Sequence, residues 1–130
     1  MKRRGQFGEE QGQAMAEFTI VLPIVVLVLF GIIQFGIVFN NYETLTDATR
    51  AGARVGAVAR GSSNPTQNAT TAVQKAATDL NQSNLSITVS STWGAGSDVT
   101  VTATYPYSIS LLGVVVKSGY LRSSTTERVE

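Results

Sequence analysis

The chain has no cysteine and no histidine among its 130 residues. The first absence excludes disulfides, thiolate nucleophiles and cysteine-ligated zinc or iron–sulfur sites; the second removes the commonest general base and metal ligand. Charge is also sparse, with 15% charged residues and a net charge of +1. Nucleic-acid affinity comes from many phosphate contacts, so DNA and RNA are not expected partners. The length suits one small domain and leaves no room for a two-domain enzyme. Yet the mean hydropathy is +0.11, which is high for a short soluble chain and implies that the apolar residues are concentrated in one place.

That place is Phe18 to Phe39, the uncharged run FTIVLPIVVLVLFGIIQFGIVF. At about 1.5 Å per residue its helix covers roughly 33 Å, enough to cross a bilayer and too long for a cleavable secretory signal. Pro23, Gly31 and Gly36 would weaken a soluble helix but are tolerated in lipid. Pro23 predicts a kink near the entry. The two glycines either are simply tolerated or let another helix approach closely. Lys2, Arg3 and Arg4 precede the run and the next basic residue, Arg50, lies well beyond it. This asymmetry places the N terminus in the cytoplasm and everything after about Asn40 outside.

Past the span, helical periodicity continues from Asn40 to Arg60, with Tyr42, Leu45, Thr49, Gly52, Val55 or Gly56, and Ala59 on one face. Glu43, Asp47, Arg50 and Arg54 share the other face, either as a solvated charged surface or as a docking surface for a partner subunit. Gly52 and Gly56 form a GxxxG spacing outside the bilayer, suited to close packing of this helix on its own sheet. Gly61-Ser62-Ser63-Asn64-Pro65 reads as a stop and restart, with Asn64 as cap and Pro65 as first residue of a second, Ala-rich helix over 66–81.

From Leu85 the period becomes two: Leu85, Ile87 and Val89, then Val99, Val101, Ala103 and Tyr105, alternate with serines and threonines. These are strands with one buried face, joined by a turn over Trp93 to Asp98, and Pro106 is expected to end the second. Ser108 to Val116 is too short to span; it reads as a loop or half-turn packed on the core, or resting on the membrane surface. Tyr120 to Val129 is expected as a third strand. The head after Gly61 is too small for a large core of its own and should lean on residues 42–60. The whole is an α+β fold: a long N-terminal transmembrane helix continuing into a small head with a second helix and a three-stranded antiparallel sheet.

No catalytic constellation emerges. Lys75 and Lys117 carry no motif, Asp79 and Asp98 suit cap and turn roles, and Trp93 suits packing. The expectation is a non-enzyme without metal or cofactor.

One acidic residue stands at the edge of the apolar run: Glu17, preceded by Gly12-Gln13-Ala14-Met15-Ala16 and followed by Phe18. Alone, Glu17 would suit the cytoplasmic interface and the first helical turn. The glycine five residues before a Glu-Phe pair, after a basic leader and before an apolar helix, resembles the processing site of type IV pilins and pseudopilins in the Flp, or tight-adherence, variant. Residues 11–57 resemble the N-terminal signature of TadE-like proteins: short leader, Glu-Phe, a Leu-Pro step, a span ending in a Gly, and an Ala/Arg/Gly-rich helix.

The resemblance implies a leader over 1–12, a helix over 13–60 with its membrane part at 18–39, and an extracytoplasmic head over 61–130 with a pilin-like fold. A prepilin peptidase would cut after Gly12, recognising Gly12, Gln13, Glu17 and Phe18. It would leave Gln13 as the new N terminus and Glu17 as the fifth mature residue, able to meet the free amine of a neighbouring subunit. Cyclisation of an N-terminal glutamine would remove that amine. Pro23, Gly31 and Gly36 would shape subunit packing in the bilayer. Implied partners are the peptidase, other pilin-like subunits, the inner-membrane assembly platform with its ATPase, and the lipid bilayer. The protein would be single-pass in a bacterial cell membrane, or incorporated in or at the base of a pilus. The competing reading is an unprocessed single-pass protein whose external head binds a ligand or a cell-wall component.

Overall fold

A computed structural model describes residues 6–130 of the chain. Lys2, Arg3 and Arg4, on which the expected orientation rests, lie outside the described residues. Helix α1 runs from Gln6 to Val58, through Pro23 and without a break. Pro23 has no N–H to offer the carbonyl of Thr19, one turn back. Thr19 itself donates its hydroxyl to the carbonyl of Met15 at 2.8 Å. α1 is long and apolar enough to cross a membrane, and none of its most apolar stretch is buried inside the protein. A soluble core helix would instead bury that stretch, so the chain has the makings of a single-pass membrane protein.

The head packs on the last four turns of α1. Helix α2 spans Pro65–Ala76, with Asn64 as cap accepting from the N–H of Gln67. Three strands, β1 (Ser86–Ser91), β2 (Asp98–Leu111) and β3 (Val114–Arg128), form an antiparallel sheet in sequence order. Leu45, Ala48, Ala53 and Ala57 of α1, Val73 of α2, Val99, Val101 and Ala103 of β2, and Val129 make up the core with Ala77 and Leu80. A Cβ on Gly52 would collide with Val73 and lie 3.3 Å from Val101, and one on Gly56 would lie 3.0 Å from Val99. The GxxxG pair therefore lets α1 approach the second helix as well as the sheet.

Thr49, fully buried, joins α1 to β3. Its hydroxyl donates to the carbonyl of Thr46 at 2.8 Å and lies 3.3 Å from Ser123 Oγ and 3.0 Å from Thr125 Oγ1. A hydroxyl has one proton, so Ser123 and Thr125 must both donate to Thr49. On the opposite, wet face of the sheet, Thr100 pairs with Thr126 and Thr102 with Ser124.

Four local expectations are corrected. Tyr42 is exposed; the buried stripe passes through Leu45, Ala48 and Thr49 instead. α2 stops at Ala76, short of Asn81, because Gln82 bonds the carbonyls of Ala77 and Leu80 and the Tyr105 hydroxyl accepts the N–H of Asn81. Pro106 does not end β2: β1 has already ended opposite Thr104, so one side of β2 is an edge there, and edges admit proline. Residues 108–116 are not a loop. Leu112 (φ 50°) and Gly113 (φ 84°) make a two-residue turn, as a type I′ hairpin requires. β3 accordingly begins at Val114, and a bulge where Ile109 faces Lys117 and Ser110 faces Val115 adjusts the register.

Candidate assembly surface on the long helix

At the N-terminal end, Gly12, Gln13, Glu17 and Phe18 all lie on α1 and are exposed. Gln13 and Glu17 are one turn apart, and Gln13 Nε2 donates to Glu17 Oε1 at 3.1 Å. Among the described residues, nothing lies within 4 Å of a Cβ placed on Gly12. The bond between Gly12 and Gln13 is thus unshielded but helical.

In the apolar stretch, Gly31 and Gly36 likewise have nothing among the described residues within 4 Å of an added Cβ. Phe35 and Phe39 stack with centroids 6.3 Å apart. Above them Phe39, Tyr42, Glu43, Thr46, Asp47 and Arg50 line a shallow cleft of about 340 Å³. Arg50 and Asp47 pair at 3.2 Å on an exposed surface, as their i,i+3 spacing allows. The structure therefore brings Glu43, Asp47 and Arg50 together at the end of the apolar run, while Arg54 lies outside that cleft.

The β2–β3 hairpin forms an arm that the sequence expectation of a loop over 108–116 does not contain. Its tip residue Leu112 lines a cleft of about 560 Å³ with Phe18, Leu22, Pro23, Val26 and Leu27. Along α1, Gly31, Gln34, Val38 and Asn41 are half-buried, in line with the core positions Leu45, Ala48 and Gly52. This is one continuous face with 3–4 spacing. The arm could have been recognised from the β-branched run Val114–Val116 following a Leu-Gly turn.

Among curated proteins and solved structures, none matches the chain. Residues 12–54, which run from Gly12 through Glu17 and the apolar stretch to Arg54, match the model of the TadE-like protein family, the family that the motifs of the same stretch resemble.

Proposed function

We propose that the chain is a TadE-like minor pilin or pseudopilin, acting in assembly of a tight-adherence pilus or a related secretion apparatus after cleavage behind Gly12. The observation that carries this reading is the family match, which begins at Gly12 itself and runs through Glu17, the apolar helix and the charged turn that follows. The mechanism is association rather than catalysis. α1 is held in lipid by its apolar face, and neighbouring subunits meet at Glu17, along Gly31 and Gly36, and at the Asp47–Arg50 surface. Extraction into a filament exchanges lipid contacts for helix contacts of similar apolarity. The prepilin peptidase, the assembly platform with its ATPase and other pilin-like subunits are the proposed partners.

A second reading rests on a specific observation: the Gly12–Gln13 bond lies inside α1, and a peptidase must unwind a helix to reach a bond within it. On that reading the leader stays and the external head binds a ligand or cell-wall component. Intact mass of the protein recovered from its native membrane separates the two. Loss of residues 1–12 supports processing; full-length mass in cells with an active prepilin peptidase rejects it.

A further inference from the structure

We propose that the lower part of the β2–β3 hairpin, from Pro106 to Tyr120, and the membrane lipid are mutually exclusive occupants of one face of α1. The arm lies along Gln34, Val38 and Asn41, with its tip at the Val26–Leu27 cleft, only when the helix is out of the bilayer. The proposal rests on α1 spanning a membrane, and is independent of the pilus reading.

Two observations put the arm on the apolar stretch. Val101 lies against Gly52, and the ten residues from there to Leu111 descend about 33 Å, the rise of roughly 22 helical residues. That arithmetic brings the tip to about residue 30, and Leu112 does share its cleft with Val26 and Leu27. Independently, the half-buried residues Asn41, Val38, Gln34 and Gly31 of α1 continue the core stripe at helical spacing below Leu45. The arm thus lies beside more than half of the run from Phe18 to Phe39.

Lipid cannot surround that arrangement. Below Thr104 the β1 side of β2 has no strand partner, and the outer side of β3 has none along its length. Open sheet edges do not occur in the hydrocarbon region, because the unpaired N–H and C=O groups find no water there. Lys117, opposite Ile109, and Ser108, opposite Ser118, would enter the bilayer with them. The helix, by contrast, satisfies its own backbone. The element that must leave is the arm, and its apolar tip, with Leu112, Val114, Val115 and Val116 all more than half exposed, would then rest at the membrane surface.

The chain has no native cysteine, so introduced thiols report cleanly. The full-length double variant Leu112→Cys/Val26→Cys is synthesised cell-free, with and without liposomes, and treated with a short bifunctional maleimide. The intrachain cross-linked peptide is then quantified by mass spectrometry. The expected result is cross-linking without lipid, a several-fold loss when the chain inserts into liposomes, and labelling of Leu112→Cys by an impermeant maleimide on those liposomes. The Thr100→Cys/Thr126→Cys pair, higher on the same strands, should cross-link in both states and so reports that the sheet is formed. Equal cross-linking with and without lipid overturns the proposal, because the arm would then share the bilayer. No cross-link in either state, or one found only between two copies, overturns it as well.

Discussion

Gln13 donates its side-chain amide to Oε1 of Glu17 across 3.1 Å, so the residue that would become the mature N terminus already lies one turn from the acid proposed to receive an N-terminal amine. Gly12→Val tests the first half of this relation. A Cβ at position 12 meets nothing among the described residues, so the helix should form unchanged while the intact mass stays at full length. Glu17→Gln tests the second. Processing should continue, but co-isolation with other pilin-like subunits should fall roughly tenfold or more, the worth of a charge-assisted hydrogen bond of about 1.5–3 kcal/mol. Unaltered co-isolation would remove Glu17 from the subunit contact. The mass of the mature chain also shows directly whether Gln13 has lost ammonia by cyclisation.

The glycines divide into two classes that thermal unfolding should separate. Gly52→Ala forces a methyl group onto Val73, near the carbonyl of Ala69 and the side chain of Val101, and should cost about 1–3 kcal/mol as overpacking. Gly31→Ala and Gly36→Ala meet open space and should leave the head's unfolding unchanged or gain about 0.5–1 kcal/mol of helix stability. If Gly36→Ala nevertheless weakens co-isolation with other subunits, the glycine serves an approaching helix.

Much of this architecture is legible from local chemistry. An uncharged run from Phe18 to Phe39 can hardly be read otherwise, and Asn64-Pro65 announces a helix start because both residues act on the backbone next to them. The misreadings arise where tertiary context decides. Pro106 looks like a strand end until β1 is known to stop opposite Thr104. Helical periodicity puts Tyr42 in line with Leu45 and Thr49, whereas the half-buried stripe reaches Leu45 through Asn41, a polar residue that conceals the phase. The arm follows the same rule: the Leu-Gly turn and the β-branched run after it mark a hairpin locally, whereas its place beside α1, with Leu112 in a cleft with Val26 and Leu27, is a long-range relation that no local pattern records. For the assembly surface, charge spacing reveals the Asp47–Arg50 pair but not the cleft that Phe39 and Tyr42 build beneath it.

Thr49→Val replaces a hydroxyl with a methyl of nearly the same volume. Ser123 and Thr125 both lose the acceptor to which they donate, and Ser123 is buried. The expected loss is about 1–3 kcal/mol in urea unfolding of the full-length protein. Adding Ser123→Ala to Thr49→Val should recover part of it, because an unsatisfied buried group is removed. Two losses that simply add would mean that the hydroxyls act independently.

Asp47→Lys separates folding from association. The Asp47–Arg50 pair is exposed, with side chains more than half accessible, and such pairs contribute about 0–1 kcal/mol. Reversing the charge places two cations one turn apart at the rim of the Phe39–Tyr42 cleft, and the head should still unfold within about 0.5 kcal/mol of the original. A subunit that docks on this rim by charge complementarity meets a reversed field, so its co-isolation should fall and should become less sensitive to salt. Asp47→Asn, which removes the charge without reversing it, should give an intermediate loss. If both variants associate as the original does, this surface is simply solvated, and association must instead run through Glu17 and the apolar face of α1.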